Sequence, residues 1–213
     1  MKEFTMRQLC LSVWLLTAIC SLGIAQQTDL TPVSLLRNSH FSKGEDFPSE
    51  WTMMLSSPDV FNVKWHRDAK EGNHIIFESL GPDYSGYIMQ KVPVTKGAWY
   101  RLKLRLSHSM GRGLIWVYGY DEKDKPLLFD RRKYLSSFVG NPLVPHFVRK
   151  ELMNGSEDDS WRDVIFDFHN SDDKGEIQPA ILRIAVGIYF TNAKMLIKSI
   201  EMWQIDESES GTK

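Results

Sequence analysis

The stretch WYRLKLRLS at residues 99–107 alternates between apolar and polar side chains. Successive side chains of a β-strand point to opposite faces of a sheet, so its apolar residues share one face and its basic residues share the other. The apolar set is Tyr100, Leu102, Leu104 and Leu106, and the basic set is Arg101, Lys103 and Arg105. The pattern predicts a strand with one face in a hydrophobic core and the other face in water.

Similar short stretches lie on both sides of this one, separated by turn residues such as Gly81-Pro82-Asp83. Almost nothing in the chain repeats at helical spacing. The further predicted strands are Val60–Trp65, His74–Ser79, Gly86–Val92, Leu114–Tyr120, Asp163–His169, Leu182–Phe190 and Leu196–Ile205. About eight short strands predict an all-β fold, namely a two-sheet antiparallel β-sandwich.

The composition is that of an ordinary folded protein, and it narrows the choice of partners. The chain has 213 residues, and its 26 Lys and Arg nearly balance its 27 Asp and Glu. A balanced charge provides no general field for attracting phosphate backbones, so nucleic acid is not an expected partner. Both cysteines lie within the first 25 residues, and no disulfide is therefore predicted in the sandwich.

The first 25 residues have the order of a secretory signal peptide. Lys2 and Arg7 precede a largely apolar, uncharged segment, and the small residues Gly23 and Ala25 suit cleavage before Gln26. The apolar part is shorter than the ~20 residues that a membrane span needs, so no span is expected. The sequence predicts that residues 1–25 are removed and that the protein is secreted, periplasmic or extracellular.

The remaining chain is predicted to form one domain. Residues 26–205 carry the sandwich, and residues 121–160 interrupt the rhythm of short strands as a long inserted loop. Ordered loops of that length are uncommon and often bind ligands. Residues 206–213 are a polar tail that we expect to be frayed.

Three segments follow one another in an order that is typical of one known family. They are Asn38-Ser39-His40-Phe41 followed by Pro48-Ser49-Glu50-Trp51, then Tyr87–Val92 leading to Gly97–Leu102, and finally Ile184–Phe190 followed by Met195–Met202. Together they resemble the galactose-binding-like jelly rolls, the fold of many carbohydrate-binding modules. The resemblance implies a jelly-roll β-sandwich whose partner is an oligosaccharide or polysaccharide.

The same resemblance implies a place for a structural calcium ion. Members of the family often carry an acidic side chain in the last strand, where this chain has Lys198-Ser199-Ile200. Hard cations take about six to eight oxygen ligands, and a lysine at the site opposes their binding. The sequence therefore predicts no cofactor, although Glu201, Asn38 and backbone carbonyls are groups that can still form such a site.

Two strands offer side chains for a saccharide site, which pairs aromatic rings with planar hydrogen-bonding groups. If Ile115, Val117 and Gly119 face the core, then Trp116, Tyr118 and Tyr120 point outward. The alternative is that these three rings fill the core, as most aromatic side chains do. In the strand from Leu182, the small residues Ala185 and Gly187 are expected to leave space above the sheet.

If the outward faces of neighbouring strands lie in one sheet, they form a surface of rings and mixed charges. The predicted ligand-binding residues are Trp99, Arg101, Arg105, Trp116, Tyr118, Asp167, Arg183 and Tyr189. For any single basic residue of the strand at 99–107, a solvated strand face is the alternative interpretation.

Catalysis and protein contact are the competing hypotheses. A polysaccharide lyase needs a His and Tyr pair with an Arg or Gln, which His108, Tyr118, Arg101 and Gln90 could supply. A glycosidase needs two facing carboxylates, for which Asp163, Asp167 and Glu78 are available. A structural or adhesion subunit would use the same scaffold to bind protein. The sequence favours a non-catalytic domain that recognises a glycan, with no catalytic residue assigned.

Overall fold

The computed structural model describes residues 32–70, 72–110, 113–127, 148–152, 160–172, 175–189 and 192–211. The predicted signal peptide and most of the predicted loop at 121–160 lie outside these residues. Side chains are described in these ranges except at 108–110 and 148–152. No helix in the described ranges is long and apolar enough to cross a membrane.

The regular secondary structure of the described chain is almost entirely β-strand. Its strands are β1 (Thr52–Leu55), β2 (Phe61–His66), β3 (His74–Ser79), β4 (Ser85–Pro93), β5 (Trp99–Met110), β6 (Gly113–Tyr120), β7 (Val148–Leu152), β8 (Arg162–His169), β9 (Ile181–Tyr189) and β10 (Ala193–Ile205). One sheet, here the first sheet, has the order β1-β4-β9-β6-β7, and the second sheet has the order β2-β3-β10-β5-β8. Every pair of neighbours is antiparallel.

The core lies between the two sheets, and alternation along the strands supplies it. β5 contributes the four apolar residues predicted from the sequence, and β9 contributes Leu182, Ile184, Val186 and Ile188, all fully buried. β10 keeps both Ile197 and Ile200 in the core although they are three residues apart, because the register shifts between Ile197 and Ser199. Such a bulge adds one residue to a strand and restores the inward face beyond it.

The predicted sandwich is confirmed, and all eight predicted strands are present with small differences at their ends. Two strands were missed. β1 has the sequence TMML, in which no apolar alternation occurs, and β7 has VRKEL within the segment predicted to be a loop. Both are edge strands of the first sheet, where only weak patterning is needed to pair with a neighbour.

The segment before β1 is attached to the sandwich by the motif residues that suggested the family. The buried side chain of Gln90 accepts from the Arg37 backbone N–H at 2.7 Å and donates to the Arg37 carbonyl at 2.9 Å. Trp51 donates its indole N–H to the Asn38 carbonyl at 3.1 Å and packs edge-on against Phe41. These contacts bring residues 37–51 against the start of the first sheet.

Side chains of both neighbouring strands occupy the space above the small residues of β9, and no open space remains there. Ala185 is paired with Trp116 on β6, and Gly187 is paired with Tyr87 on β4. The rings of Tyr87 and Trp116 meet edge to face with 4.5 Å between their centroids. The expectation that Ala185 and Gly187 leave a ligand space is therefore wrong, because the rings of neighbouring strands occupy it.

We predict that Gly187→Ala strongly destabilises the protein. A Cβ at Gly187 would lie 1.9 Å from the Gly86 carbonyl oxygen and 2.7 Å from the Tyr87 Cα, so the backbone of β4 would have to move. Overpacking of this kind typically costs about 1–3 kcal/mol, and a collision with backbone belongs at the upper end. Urea denaturation measures the change. Gly211→Ala is the control, since its Cβ would have 3.8 Å to the nearest atom; equal stability of the two variants would contradict the prediction.

Candidate functional site

The structure divides the predicted ligand-binding residues between two sheets. Trp116 and Tyr118 on β6 and Arg183 and Tyr189 on β9 belong to the first sheet. Trp99, Arg101 and Arg105 on β5 and Asp167 on β8 belong to the second sheet. The two groups lie on the outer faces of different sheets, with the core between them, so the expected single surface of all eight does not exist. Sequence alternation predicts the face of the strand on which each residue lies, but it does not predict the sheet to which that strand belongs.

The outer face of the first sheet carries a second apolar cluster, here the outer cluster. Its buried members are Tyr87, Leu114, Trp116 and Ala185, and Met89, Tyr118 and Tyr189 pack against them. Ile115 and Val117 face the core, as one of the two predicted registers required. The rings of β6 therefore point away from the core.

Trp116 nevertheless does not lie in water. It is 1% exposed and packs between the rings of Tyr87, at 4.5 Å, and Tyr189, at 5.7 Å. The expectation of an exposed aromatic row is wrong for Trp116 and for Tyr120, which is 4% exposed. Tyr118 and Tyr189 are half-buried. The rings form a support beneath this surface, and the groups accessible to a ligand lie beside them.

Arg183 is held by these rings. Its guanidinium carbon lies 4.4 Å from the ring centroid of Tyr118 and 5.3 Å from that of Tyr120, within the range of cation–π contact. Burial raises the pKa of Tyr118 above its ordinary value, with Arg183 opposing the rise, and burial raises the pKa of Tyr87 to about 12. These phenols stay neutral at physiological pH and cannot act as counter-ions for Arg183.

Lys91 and Arg183 face each other directly across β4 and β9. The ammonium of Lys91 binds both carboxylate oxygens of Asp124 at 2.6 Å. Arg183, by contrast, has a buried Nε without a hydrogen-bond partner, and no carboxylate of the described residues pairs with it. Two like charges opposite each other on one sheet face are unfavourable, and Asp124 offsets only the charge of Lys91. The charge of Arg183 therefore stays uncompensated at this end of the first sheet.

A cavity of about 320 Å³ opens at this place. Its lining residues are Glu50, Thr52, Met89, Gln90, Lys91 and Arg183. The volume is at the small end of the range for ligand pockets, roughly 300–1,000 Å³. The lining combines one apolar side chain with a carboxylate, a hydroxyl, an ammonium and a guanidinium. This combination can hold a polar ligand through directed hydrogen bonds.

From the sequence, Arg183 was predicted to bind ligand and Gln90 was considered for catalysis, whereas no role was predicted for the other lining residues. Met89 and Lys91 carry a recognisable signal, because Ile88 and Val92 alternate with them and face the core. Glu50 and Thr52 carry none, since they reach the cavity only through the pairing of β1 with β4.

The outer face of the second sheet is a set of paired charges. Arg101 and Asp167 form a two-pronged ion pair, with Nε to Oδ1 at 2.7 Å and Nη2 to Oδ2 at 2.8 Å. Asp163 pairs with both Arg105, at 3.1 Å, and Lys103, at 3.5 Å. The cations of β5 are thus matched by carboxylates of β8. This arrangement favours the interpretation of a solvated strand face over a ligand site.

The end of the described chain folds onto that face. Residues Glu207–Glu209 form a short 3-10 helix, the Glu209 carbonyl accepts from Arg101 at 2.9 Å, and the Gly211 backbone N–H donates to Asp167 at 2.9 Å. The expectation of a frayed tail is wrong as far as Gly211. The composition of the tail does not predict this contact, because the tail contributes backbone groups to it and no side chain.

We predict that Asp167→Asn destabilises the protein by about 1.5–3 kcal/mol at neutral pH, the range for hydrogen bonds to charged groups. The carboxylate is 7% exposed and its loss leaves Arg101, 28% exposed, without its partner. The hydrogen bond from Arg101 is the largest cause that lowers the pKa of Asp167. The stabilisation is therefore present above the ordinary Asp pKa of about 3.9 and is lost as pH falls through the lowered value.

Thermal denaturation of the wild type and Asp167→Asn between neutral pH and acid measures this effect, and the difference between the two should shrink below about pH 4. Asp59→Asn is the control, because Asp59 is exposed on the 3-10 turn at Pro58–Val60. A difference that stays constant into acid would contradict the assignment.

The proposed catalytic sets do not assemble. Tyr118 lies on the first sheet and Arg101 on the second, while Gln90 is buried and bonded to the Arg37 backbone. The side chain of His108 lies outside the described residues. Of the carboxylates considered for hydrolysis, Asp163 and Asp167 are paired with basic residues, and Glu78 accepts from Asn62 at 3.0 Å.

The residues suggested for calcium do not fit the ion. The Asn38 amide donates to the carbonyls of Lys43, at 2.8 Å, and Ser49, at 2.9 Å, and its oxygen accepts from the Ser42 and Lys43 backbone N–H groups. Glu201 accepts from Ser199 at 3.1 Å. An amide N–H thus occupies the carbonyls that a cation would need. Among the described residues, no three His, Cys, Asp or Glu side chains cluster closely enough for a metal ion.

We predict that excess EDTA or added calcium leaves the thermal unfolding temperature unchanged, because Asn38 already satisfies this loop. Asn38→Ala should lower the unfolding temperature, since it leaves two backbone N–H groups and two carbonyls without their side-chain partner. Ser42→Ala, which removes only a long 3.4 Å contact to Asn38, is the matched control. Stabilisation of the wild type by millimolar calcium, reversed by EDTA, would disprove this account of the loop.

The sequence matches no protein-family model, and it has no match among curated proteins. Solved structures resemble the fold. The enzymatically active domain of tailspike protein 4 from bacteriophage CBA120 superposes with a TM-score of 0.59 at 10% identity. The match covers 81% of this chain and 22% of the tailspike, so the chain spans about a fifth of that protein's length.

Two further structures match over nearly their whole length. A protein from Bacteroides thetaiotaomicron, named as a candidate sugar-binding protein, superposes with a TM-score of 0.52 at 15% identity, over 81% of this chain and 100% of that one. A Stig cyclase from Fischerella sp. TAU superposes with a TM-score of 0.53 at 9% identity, over 82% and 98%. These likenesses agree with the two-sheet β-sandwich that the sequence predicted. At these identities the likeness concerns the fold alone.

Proposed function

We propose that this chain is an exported, non-catalytic carbohydrate-binding domain and that it binds a saccharide in the cavity on the first sheet. The cavity is the observation that carries the proposal. Its lining offers hydrogen-bonding groups at Glu50, Thr52, Lys91 and Arg183, while Met89 offers an apolar surface. Sugars are polar around the ring edge and apolar on their C–H faces, so they need this combination.

The rings contribute indirectly. Tyr118 holds the guanidinium of Arg183 from below, and the outer cluster keeps Tyr118 in place. A side chain that is already ordered loses less conformational entropy when it binds a ligand. We therefore assign Tyr118, Trp116 and Tyr189 a supporting role, with Arg183 as the contact residue among the predicted set.

The charged residues on the outer face of the second sheet are already paired, which favours the first sheet as the binding site. On the second sheet, the predicted residues Arg101 and Asp167 pair with each other, and Arg105 pairs with Asp163. The segment at 207–211 bonds to Arg101 and Asp167. A saccharide would have to displace these contacts. The absence of catalysis is supported by the paired state of Asp163, Asp167 and Glu78.

Export rests on the N-terminal sequence. The basic residues, apolar segment and small residues before Gln26 favour a cleaved signal peptide, with the sandwich domain following it. The neighbour from Bacteroides thetaiotaomicron, itself named as a candidate sugar-binding protein, supports the carbohydrate-binding part of the proposal and not the export.

We predict that Met89→Trp abolishes saccharide binding by filling the cavity while leaving every charge in place. Affinity electrophoresis in gels containing galactan, xylan, polygalacturonate or carrageenan identifies a polymer that retards the wild type and measures the loss. Ile165→Trp is the matched control, because Ile165 is 53% exposed on the outer face of the second sheet. Retention of binding in Met89→Trp, or equal loss in Ile165→Trp, would refute the assigned site.

A further inference from the structure

The cavity has a charge that its own residues do not balance. Lys91 and Arg183 are directly opposed on β4 and β9, yet Asp124 neutralises only Lys91. The remaining carboxylate of the lining, Glu50, lies 3.7 Å from Arg37 and is 48% exposed. Arg183 is therefore the cation of this site that remains without an acidic partner among the described residues.

The surroundings of Arg183 satisfy its side chain only in part. Its Nε is buried and makes no hydrogen bond, and a buried donor without a partner is destabilising. The neighbouring phenols are neutral, since burial raises the pKa of Tyr118 and Tyr120. Stacking on Tyr118 orients the guanidinium but does not neutralise it. A guanidinium that is held in position, remains partly accessible and has no acidic partner is suited to bind an anion that arrives from outside.

We propose that Arg183 is the specificity-determining residue of the cavity and that it binds the anionic substituent of an acidic saccharide, either the carboxylate of a uronic acid or a sulfate ester. The proposal rests on the function proposed above and names its substrate class. Carboxylate and sulfate both match the planar fork of donors that a guanidinium presents. Glu50, across the lining, would then accept from sugar hydroxyls, which carry no charge.

Two pairs of polymers separate charge from sugar structure and carboxylate from sulfate. Polygalacturonate is compared with its fully methyl-esterified form, and a carrageenan is compared with the same polymer after desulfation. Binding is measured at about 0.15 M NaCl, where screening beyond ~8 Å removes most diffuse attraction. We expect the wild type to bind the charged member of one pair at least about tenfold more tightly than its neutral match, as one charge-assisted contact supplies. The pair that shows the preference identifies the anion.

Arg183→Gln should abolish this preference. The variant should bind the charged and neutral members of the pair with equal affinity, and Met89→Trp should remove the binding of both. Lys123→Gln is the matched control, because it removes one exposed positive charge from the turn that carries Asp124 without touching the cavity lining. Arg183→Gln should remain folded, because it removes the like charge opposite Lys91. If it does not fold, Arg183→Met, which keeps an unbranched stem against Tyr118, replaces it.

Three results would overturn the proposal. The first is equal binding of charged and neutral polymers, and the second is a preference that survives in Arg183→Gln. The third is an equal loss of preference in Lys123→Gln, which would indicate diffuse charge attraction. If the neutral polymers still bind and Met89→Trp still abolishes that binding, the proposed substrate class is refuted while the proposed binding site is retained. If Met89→Trp has no effect on any polymer that binds, the site itself fails as well.

Discussion

The outer surface of the first sheet depends on how β9 distributes large and small side chains. Its aliphatic residues Leu182, Ile184, Val186 and Ile188 face the core, while Ala185 and Gly187 face outward beneath rings from both neighbouring strands. Gly187 has no room for even a Cβ. This constraint lets Tyr87 and Trp116 meet over the strand. Their contact builds a second apolar layer outside the core, and that layer fixes Tyr118 and, through it, Arg183.

The two outer faces show how the same residue types take different roles. On the second sheet each arginine of β5 has a carboxylate of β8 beside it, so the charges stabilise the sheet and hold the end of the chain. On the first sheet an arginine stacks on a ring and has no such partner among the described residues. The difference in pairing, more than the presence of aromatic rings, identifies the candidate site.

Much of the fold could be predicted because alternation is a local property. It identified both faces of β5 and β9 correctly and left two registers open for β6. It failed for β1 and β7, whose pairing depends on their neighbours. The site could be predicted only in part. Sequence indicates which way Arg101 and Arg183 point, but strand order decides which residues share a surface. The burial of Trp116 was equally hidden, because it depends on Tyr87 and Tyr189 from two other strands.

The central claim is that saccharide binds on the first sheet beside Arg183. Amide chemical-shift mapping during titration with an oligosaccharide of the polymer that binds tests it most directly, because every strand reports separately. The account predicts that the largest shifts lie in β1, β4 and β9, around Thr52, Lys91 and Arg183, while β5 and β8 stay unchanged. Shifts concentrated around Trp99, Arg101 and Asp167 would contradict it and would place the ligand on the opposite face.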